Sequence, residues 1–265
     1  MWRINAFQPN PFEPNLEVMK SKDRTGRRRL YLMRHGHVNY FDVAVEDFSQ
    51  VPLTEEGQEQ AQSAGLALAG VTFDAAFHSG LPRTRETLGL VLKANETGLE
   101  RDPIAIGGFE ELRGGQVIVK TQTELAARLA FSFDAAAEEG ASFLPGGELF
   151  ADAERRIVEA LRILVEEHSW KRAILVAHEG VNRILLAHLT GGGLGALGHF
   201  EQDLCGINVL DFDVIEDEQG ALTVERVILK AVNVTAHDPI KKGLPRTSIE
   251  HLFGIDFGGA RPPRS

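Results

Sequence analysis

Leu30-Tyr-Leu-Met-Arg-His-Gly-His37 constrains this chain more than any other stretch, because an apolar, partly aromatic run stops abruptly at Arg34, His35 and Gly36. A short apolar run bounded by polar residues and a glycine reads as a buried strand. In open α/β sheets ligands bind beyond the carboxyl ends of the strands, so chemistry is expected at this strand's end. Gly36 would let the backbone turn sharply and come close to a ligand. Arg34 would supply a planar, always-charged donor fork, and His35 an imidazole able to act as nucleophile, base or metal ligand.

One such tripeptide can arise by chance, so the companions decide what it means. Ala173-Ile-Leu-Val-Ala177 is a wholly apolar run of strand length, expected at the centre of a parallel sheet. It ends at His178, and helical sequence follows as far as Gly191-Gly-Gly193. The strand, polar residue, helix pattern thus occurs twice, and two imidazoles at two strand ends can face each other across one crevice. Phe73-Asp-Ala-Ala-Phe77 reads as a further short strand, with Ser79 opening a helix and Arg83 in its first turn. A guanidinium beside a helix N-terminus is a natural phosphate clamp; the bland alternative is a surface arginine paired with Glu86.

The remaining segments frame these elements. Thr54 before Glu55 and Glu56 predicts a capped helix running to Gly70. From about Asp102 to Gly147, paired glycines and an alanine-rich helix predicted over Thr123–Glu139 read as a helical lid insertion over the strand ends. Pro145-Gly-Gly-Glu148 introduces an amphipathic helix to about His168. Cys205–Val214 and Leu222–Lys230, joined by an acidic turn, predict an antiparallel hairpin at or near a sheet edge. Residues 1–28 read as an N-terminal extension, 29–265 as a single domain, and about 233–265 as an irregular tail.

Composition serves mainly to exclude. With 28 Lys and Arg against 38 Asp and Glu the net charge is −10, so neither nucleic acid nor an anionic membrane is expected as a partner. An anionic ligand must be caught by a local basic pocket. The basic run Lys22–Arg29 is read as a solvated lead-in whose arginines stay at the surface. A single cysteine excludes an intrachain disulfide framework and a cysteine-rich zinc site. With no leader pattern and no long apolar run, a cytoplasmic location is expected.

Four further motifs, His78-Ser-Gly-Leu-Pro-Arg-Thr-Arg-Glu-Thr87, Phe109-Glu-Glu-Leu-Arg-Gly-Gly115, Pro145-Gly-Gly-Glu148 and Val176-Ala-His-Glu-Gly180, follow Arg34-His35-Gly36 in this order. Together they resemble the histidine phosphatase superfamily, the group that includes the phosphoglycerate mutases, from about Leu30 to about Leu189. With the segment readings, the resemblance implies an α/β fold: a three-layer αβα sandwich with a mostly parallel central sheet and an antiparallel edge hairpin. It also implies roles. His35 would attack phosphorus; Arg34, Arg83 and His178 would hold the phosphoryl oxygens; Glu111 would protonate the leaving oxygen and then activate water. Glu110 is the second candidate for that acid, since the family's Leu-x-Glu-x-x-x-Gly spacing fits Phe109, Glu111 and Gly115 but could slip by one residue. No metal and no other cofactor is implied.

The expected reaction is hydrolysis of a small phosphomonoester, with mutase-type phosphoryl transfer or simple phosphate-ligand binding as alternatives and a homodimer left open. Many members continue Arg-His-Gly with Glu and then Thr or Ser; here His37, Val38 and Asn39 follow. That departure makes His37 and Asn39, with Glu110, the candidates for the wider substrate pocket. A rival chemistry would use His35 and His37 as a metal pair on one side of a strand, with Asp42 or Glu46 completing the site.

Overall fold

The layers follow from side-chain alternation in the central strands. The computed structural model describes residues 24–40, 48–115 and 121–258. Along β1 (Gly26–Arg34), Leu30 and Leu32 enter one apolar layer while Met33 enters the other. β4 (Arg172–Ala177) repeats this, with Ala173, Leu175 and Ala177 on the first side and Ile174 and Val176 on the second. A strand buried on both faces needs no polar residue in its alternation, which is why these runs are continuously apolar. Each fully buried Leu or Met here contributes about 1.5–3 kcal/mol of transfer free energy.

Around them lie β2 (Ala75–His78), β3 (Ile104–Ala105), β5 (Ile207–Glu216) and β6 (Leu222–Val234), giving the order β3-β2-β4-β1-β5-β6. The first four strands of that order pair in parallel, and β5 and β6 add antiparallel pairings to β1 and to each other. Helices α1 (Glu55–Ala67) and α2 (Pro82–Asn95) cover one face; α4 (Phe150–Glu166) and α5 (Glu179–Leu189) cover the other. The fold is therefore the expected αβα arrangement with β6 at the sheet edge.

Several expectations shift. β1 begins at Gly26, so it takes in the end of the basic lead-in, and Arg28 is fully buried rather than solvated. Its guanidinium lies 3.9 Å from the Trp170 ring and donates to the carbonyls of Val165 at 2.6 Å and His168 at 2.7 Å. Two carbonyl acceptors and an aromatic face offset the desolvation of that charge. The insertion after β2 also supplies an edge strand, β3, beside its helical part. Its helix α3 (Gln122–Ala130) stops well before Glu139, because Phe133 must turn inward against Phe143 and Phe150, with ring centroids 5.1 and 6.0 Å away.

The C-terminal tail is not wholly irregular. It carries α6 (Ser248–Phe253), whose Thr247 and Glu250 form a reciprocal capping box. Ile249 and Phe253 of α6 pack against Ala126 and Leu129 of α3. Lys241, in the same tail, is held by Asp203 at 2.7 Å.

Two glycines seat the first helix against the Arg-His-Gly turn. A Cβ on Gly36 would lie 2.5 Å from the Gly57 carbonyl oxygen, and one on Gly57 would lie 2.2 Å from that of His37. Gly36 is therefore required for helix approach rather than for a turn at positive φ. Thr54 caps α1 by accepting from the Gly57 N–H at 3.2 Å. In an unhindered helix interior, Gly→Ala stabilises by about 0.8–1.0 kcal/mol. Gly57→Ala is expected to do the opposite, lowering the denaturation midpoint and the activity together; an unchanged or raised midpoint would contradict this packing.

Candidate active site

Three parallel strands end at one level, and the residue after each end points to the same crevice. Arg34 is opposite Ala177 in the β1–β4 register, so His35 and His178 emerge side by side. Their ring centroids are 5.2 Å apart with planes at 65°. His78 is opposite Val176, which brings Ser79 beside them. Both imidazoles are essentially buried.

The hydrogen bonds fix the protons. His35 Nδ1 is 2.7 Å from the Gly36 carbonyl oxygen. A carbonyl only accepts, so Nδ1 carries the proton and Nε2 keeps its lone pair. His178 Nε2 is 2.8 Å from Ser79 Oγ, which is 2.9 Å from Thr84 Oγ1. Thr84 spends its one hydrogen on the Leu81 carbonyl at 2.8 Å, so Ser79 donates to Thr84 and accepts from His178 Nε2. Nδ1 of His178 is buried with no partner among the described residues. Ser79 thus serves His178 rather than opening the helix; α2 starts with Pro82 after Leu81, without a side-chain cap.

Arg34 and Arg83 are both buried at this site. Arg83, in the first turn of α2, lies with its guanidinium carbon 5.9 Å from the centre of the Tyr40 ring. Glu86, its bland alternative partner, instead accepts from the Leu53 N–H at 3.0 Å and from Gln58 at 3.3 Å. Burial, then the charges of Arg83 and Arg34, hold both imidazoles well below their ordinary pKa.

Of the two candidate acids, Glu111 is the one brought to the crevice. Its carboxylate accepts from its neighbour Leu112 N–H at 2.9 Å and from Gly180 N–H, at the start of α5, at 3.4 Å. A Cβ at Gly180 would lie 2.7 Å from Glu111 Oε1, so only glycine lets the acid approach the helix end. Burial pushes the Glu111 pKa up, against the Leu112 N–H and the charge of Arg83. Glu110 keeps its carboxylate near Gly107 and gives its carbonyl to Arg156 at 3.0 Å. The Pro145-Gly-Gly-Glu148 motif anchors this loop: Glu148 pairs with Arg156 at 2.7 Å and accepts from the Arg113 N–H at 3.2 Å.

The wider pocket differs from the expectation in places. His37 is not on a strand, since β1 ends at Arg34, and its Nδ1 engages Thr54 Oγ1 at 2.8 Å. The same-side argument for a His35–His37 metal pair therefore fails, while Asp42 and Glu46 lie outside the described residues. Asn39 is exposed. Among the described residues no cluster of three or more His, Cys, Asp or Glu is arranged to hold a metal. Cys205 is buried behind His35, donating its backbone N–H to the His35 carbonyl at 3.3 Å, and burial raises its thiol pKa.

A family model described as the histidine phosphatase superfamily (branch 1) matches residues 30–222. The chain belongs to that superfamily. Within it, the chain is 29% identical over 177 residues to the adenosylcobalamin/alpha-ribazole phosphatase of Escherichia coli (strain K12), covering 66% of this chain and 85% of that protein. It is 27% identical over 164 residues to a 2,3-bisphosphoglycerate-dependent phosphoglycerate mutase of Cytophaga hutchinsonii, covering 60% of this chain and 76% of that one. Among solved structures, the alpha-ribazole phosphatase of Shigella flexneri superposes with a TM-score of 0.55 at 25% identity, covering 77% of this chain and 96% of that one. Phosphatases and mutases both occur in the superfamily, and no described helix of this member is long and apolar enough to cross a membrane.

Sequence reasoning missed Ser79, Glu179, Gly180, Gln202 and Ser248. Ser79, Glu179 and Gly180 stand inside the sequence motifs, and their position within two residues of a strand-end histidine was the available signal. Gln202 and Ser248 reach Arg34 only through the tertiary fold.

The depressed imidazole pKa values have a definite sign. Near and below pH 6.5 the unfolded chain binds protons that the folded His35 and His178 refuse, so stability falls as pH drops through that range, by at most about 1.4 kcal/mol per pH unit per histidine. Urea midpoints at pH 5.5 are expected below those at pH 7.5, with inorganic phosphate recovering part of the loss. A flat profile would contradict neutral buried imidazoles.

Proposed function

We propose that this chain hydrolyses a small phosphomonoester through a phosphohistidine on His35. The observation that carries this reading is the His35 Nδ1 contact to the Gly36 carbonyl, which leaves Nε2 as a free nucleophile next to His178 and two buried arginines. Nε2 attacks phosphorus, the P–O ester bond breaks, and the departing oxygen takes the Glu111 proton. Water then attacks the phosphohistidine, the P–N bond breaks, and the Glu111 carboxylate accepts the water's proton.

Charge decides why these groups suffice. Phosphoryl transfer concentrates negative charge on the equatorial oxygens, and fixed guanidiniums in a water-poor site stabilise it without reorganising. Arg34 and Arg83 supply the positive field beside the neutral His178, so the reading calls for no metal. Burial favours the protonated form of Glu111, as an acid requires, and favours neutral His35, as a nucleophile requires. The phosphatase names of several relatives support hydrolysis as the outcome. The similarity to phosphoglycerate mutases keeps phosphoryl transfer between phosphoglycerates as the second reading.

p-Nitrophenyl phosphate hydrolysis in the presence of EDTA tests the first reading. Activity should survive EDTA and vanish in His35→Ala; loss on EDTA alone would overturn the phosphohistidine route. Glu111→Gln should lower kcat by about 10²-fold or more on an alkyl phosphate, whose leaving oxygen needs a proton. It should cost far less in the burst that releases p-nitrophenol, which leaves as the anion. Equal losses on the two substrates would remove Glu111 from the acid role.

A further inference from the structure

The C-terminal segment reaches the phosphate site, although it lies beyond the residues 30–222 shared with the family. Arg34 Nη1 is 2.6 Å from the Gln202 carbonyl, 2.5 Å from Ser248 Oγ and 3.0 Å from Glu179 Oε2. The Ser248 hydroxyl accepts from Arg34 and donates its one hydrogen to Glu179 Oε2 at 2.8 Å. Glu179 Oε1 is gripped by Arg183 Nε at 3.0 Å and Nη2 at 2.8 Å. Arg183 also meets Glu201 at 2.8 Å, and Glu201 accepts the Ser248 backbone N–H at 2.8 Å. The chain of contacts closes on itself, from Ser248 through Glu179, Arg183 and Glu201 back to Ser248.

This ring has a chemical consequence for Arg34. Its Nη1 edge is fully committed to protein acceptors, while Nε is buried with no partner among the described residues. A guanidinium held this way keeps one edge for a bidentate grip on an oxyanion. Burial alone would raise the Glu179 pKa, but Arg34 and Arg183 outweigh it and hold its carboxylate ionised. Arg34 and the ring's Arg183 balance Glu179 and Glu201, so the network holds the Arg34 guanidinium in place without leaving a buried charge unpaired.

We propose that Ser248, delivered by α6, and Glu179 are positioning residues that aim Arg34 at the phosphoryl group. A misplacement of about 1 Å in such a group can cost about a hundredfold in rate. This rests on the phosphatase reading above, and the experiment separates the two.

Kinetics and vanadate inhibition would be compared for the unaltered protein, Ser248→Ala, Ser248→Thr and Glu179→Gln. Ser248→Ala and Glu179→Gln should each lower kcat about tenfold or more and weaken vanadate inhibition by a similar factor, with KM changing less. Ser248→Thr, which keeps the hydroxyl, should restore most of the rate. Unchanged kcat and vanadate inhibition in Ser248→Ala would overturn the proposal, and so would an equal loss in Ser248→Thr, which would assign the effect to packing. If the unaltered protein turns over no phosphomonoester, the phosphatase reading fails. Calorimetric titration with inorganic phosphate then decides the positioning role: weaker binding by Ser248→Ala supports it, and equal binding overturns it.

Discussion

The parallel pairing of β1 with β4 is the contact on which the rest of the molecule depends. Parallel strands end in the same direction, so the residue after each end emerges at one level. His35 and His178 therefore meet without any loop having to carry either of them. The pairing is secured beneath the chemistry, by Leu30, Leu32, Leu175 and their neighbours buried in the core. A site supported by strand ends inherits the stiffness of the core beneath it.

Electrostatics is the second organising theme, and it runs against the whole-chain balance. A protein with a net charge of −10 nonetheless buries Arg34, Arg83 and two imidazoles in one crevice. That is sustainable because the imidazoles stay neutral and because each buried charge has been given a reason to stay. Arg34 has the Glu179 carboxylate, the Gln202 carbonyl and the Ser248 hydroxyl. The same low-dielectric surroundings that penalise protonated histidine also keep Glu111 protonated more readily. One physical cause thus moves Glu111 and His35 in opposite directions, each towards the state that the proposed reaction uses.

Close approach is the third. Gly36 against Gly57, and Gly180 against Glu111, are contacts in which a single Cβ would collide with a neighbour. Arg156 and Glu148 then hold the Glu111 loop from behind, with Arg156 donating to the carbonyls of Gly108 at 2.8 Å and Glu110 at 3.0 Å. The motifs that look like separate sequence signatures are therefore parts of one packed object, each limiting the freedom of another.

How much of this was legible beforehand depends on the range of the interaction. The period of the apolar runs, the histidines after them, and the hydroxyl cap at Thr54 are local facts, and local chemistry dictated the strands, most helices and the family resemblance. Arg28 was misread because the burial of a charge depends on Trp170 and on carbonyls about 140 residues away along the chain, which no local pattern announces. Which of Glu110 and Glu111 faces α5 is a question of one residue's rotation that only packing answers. Ser79, read as a helix start, found a better partner in His178 across the sheet. The sequence by itself determined the strand ends and the chemical groups placed there. The tertiary structure decided which groups meet, because that depends on parallel register and on buried contacts between residues far apart in the chain, as when Ser248 closes on Arg34.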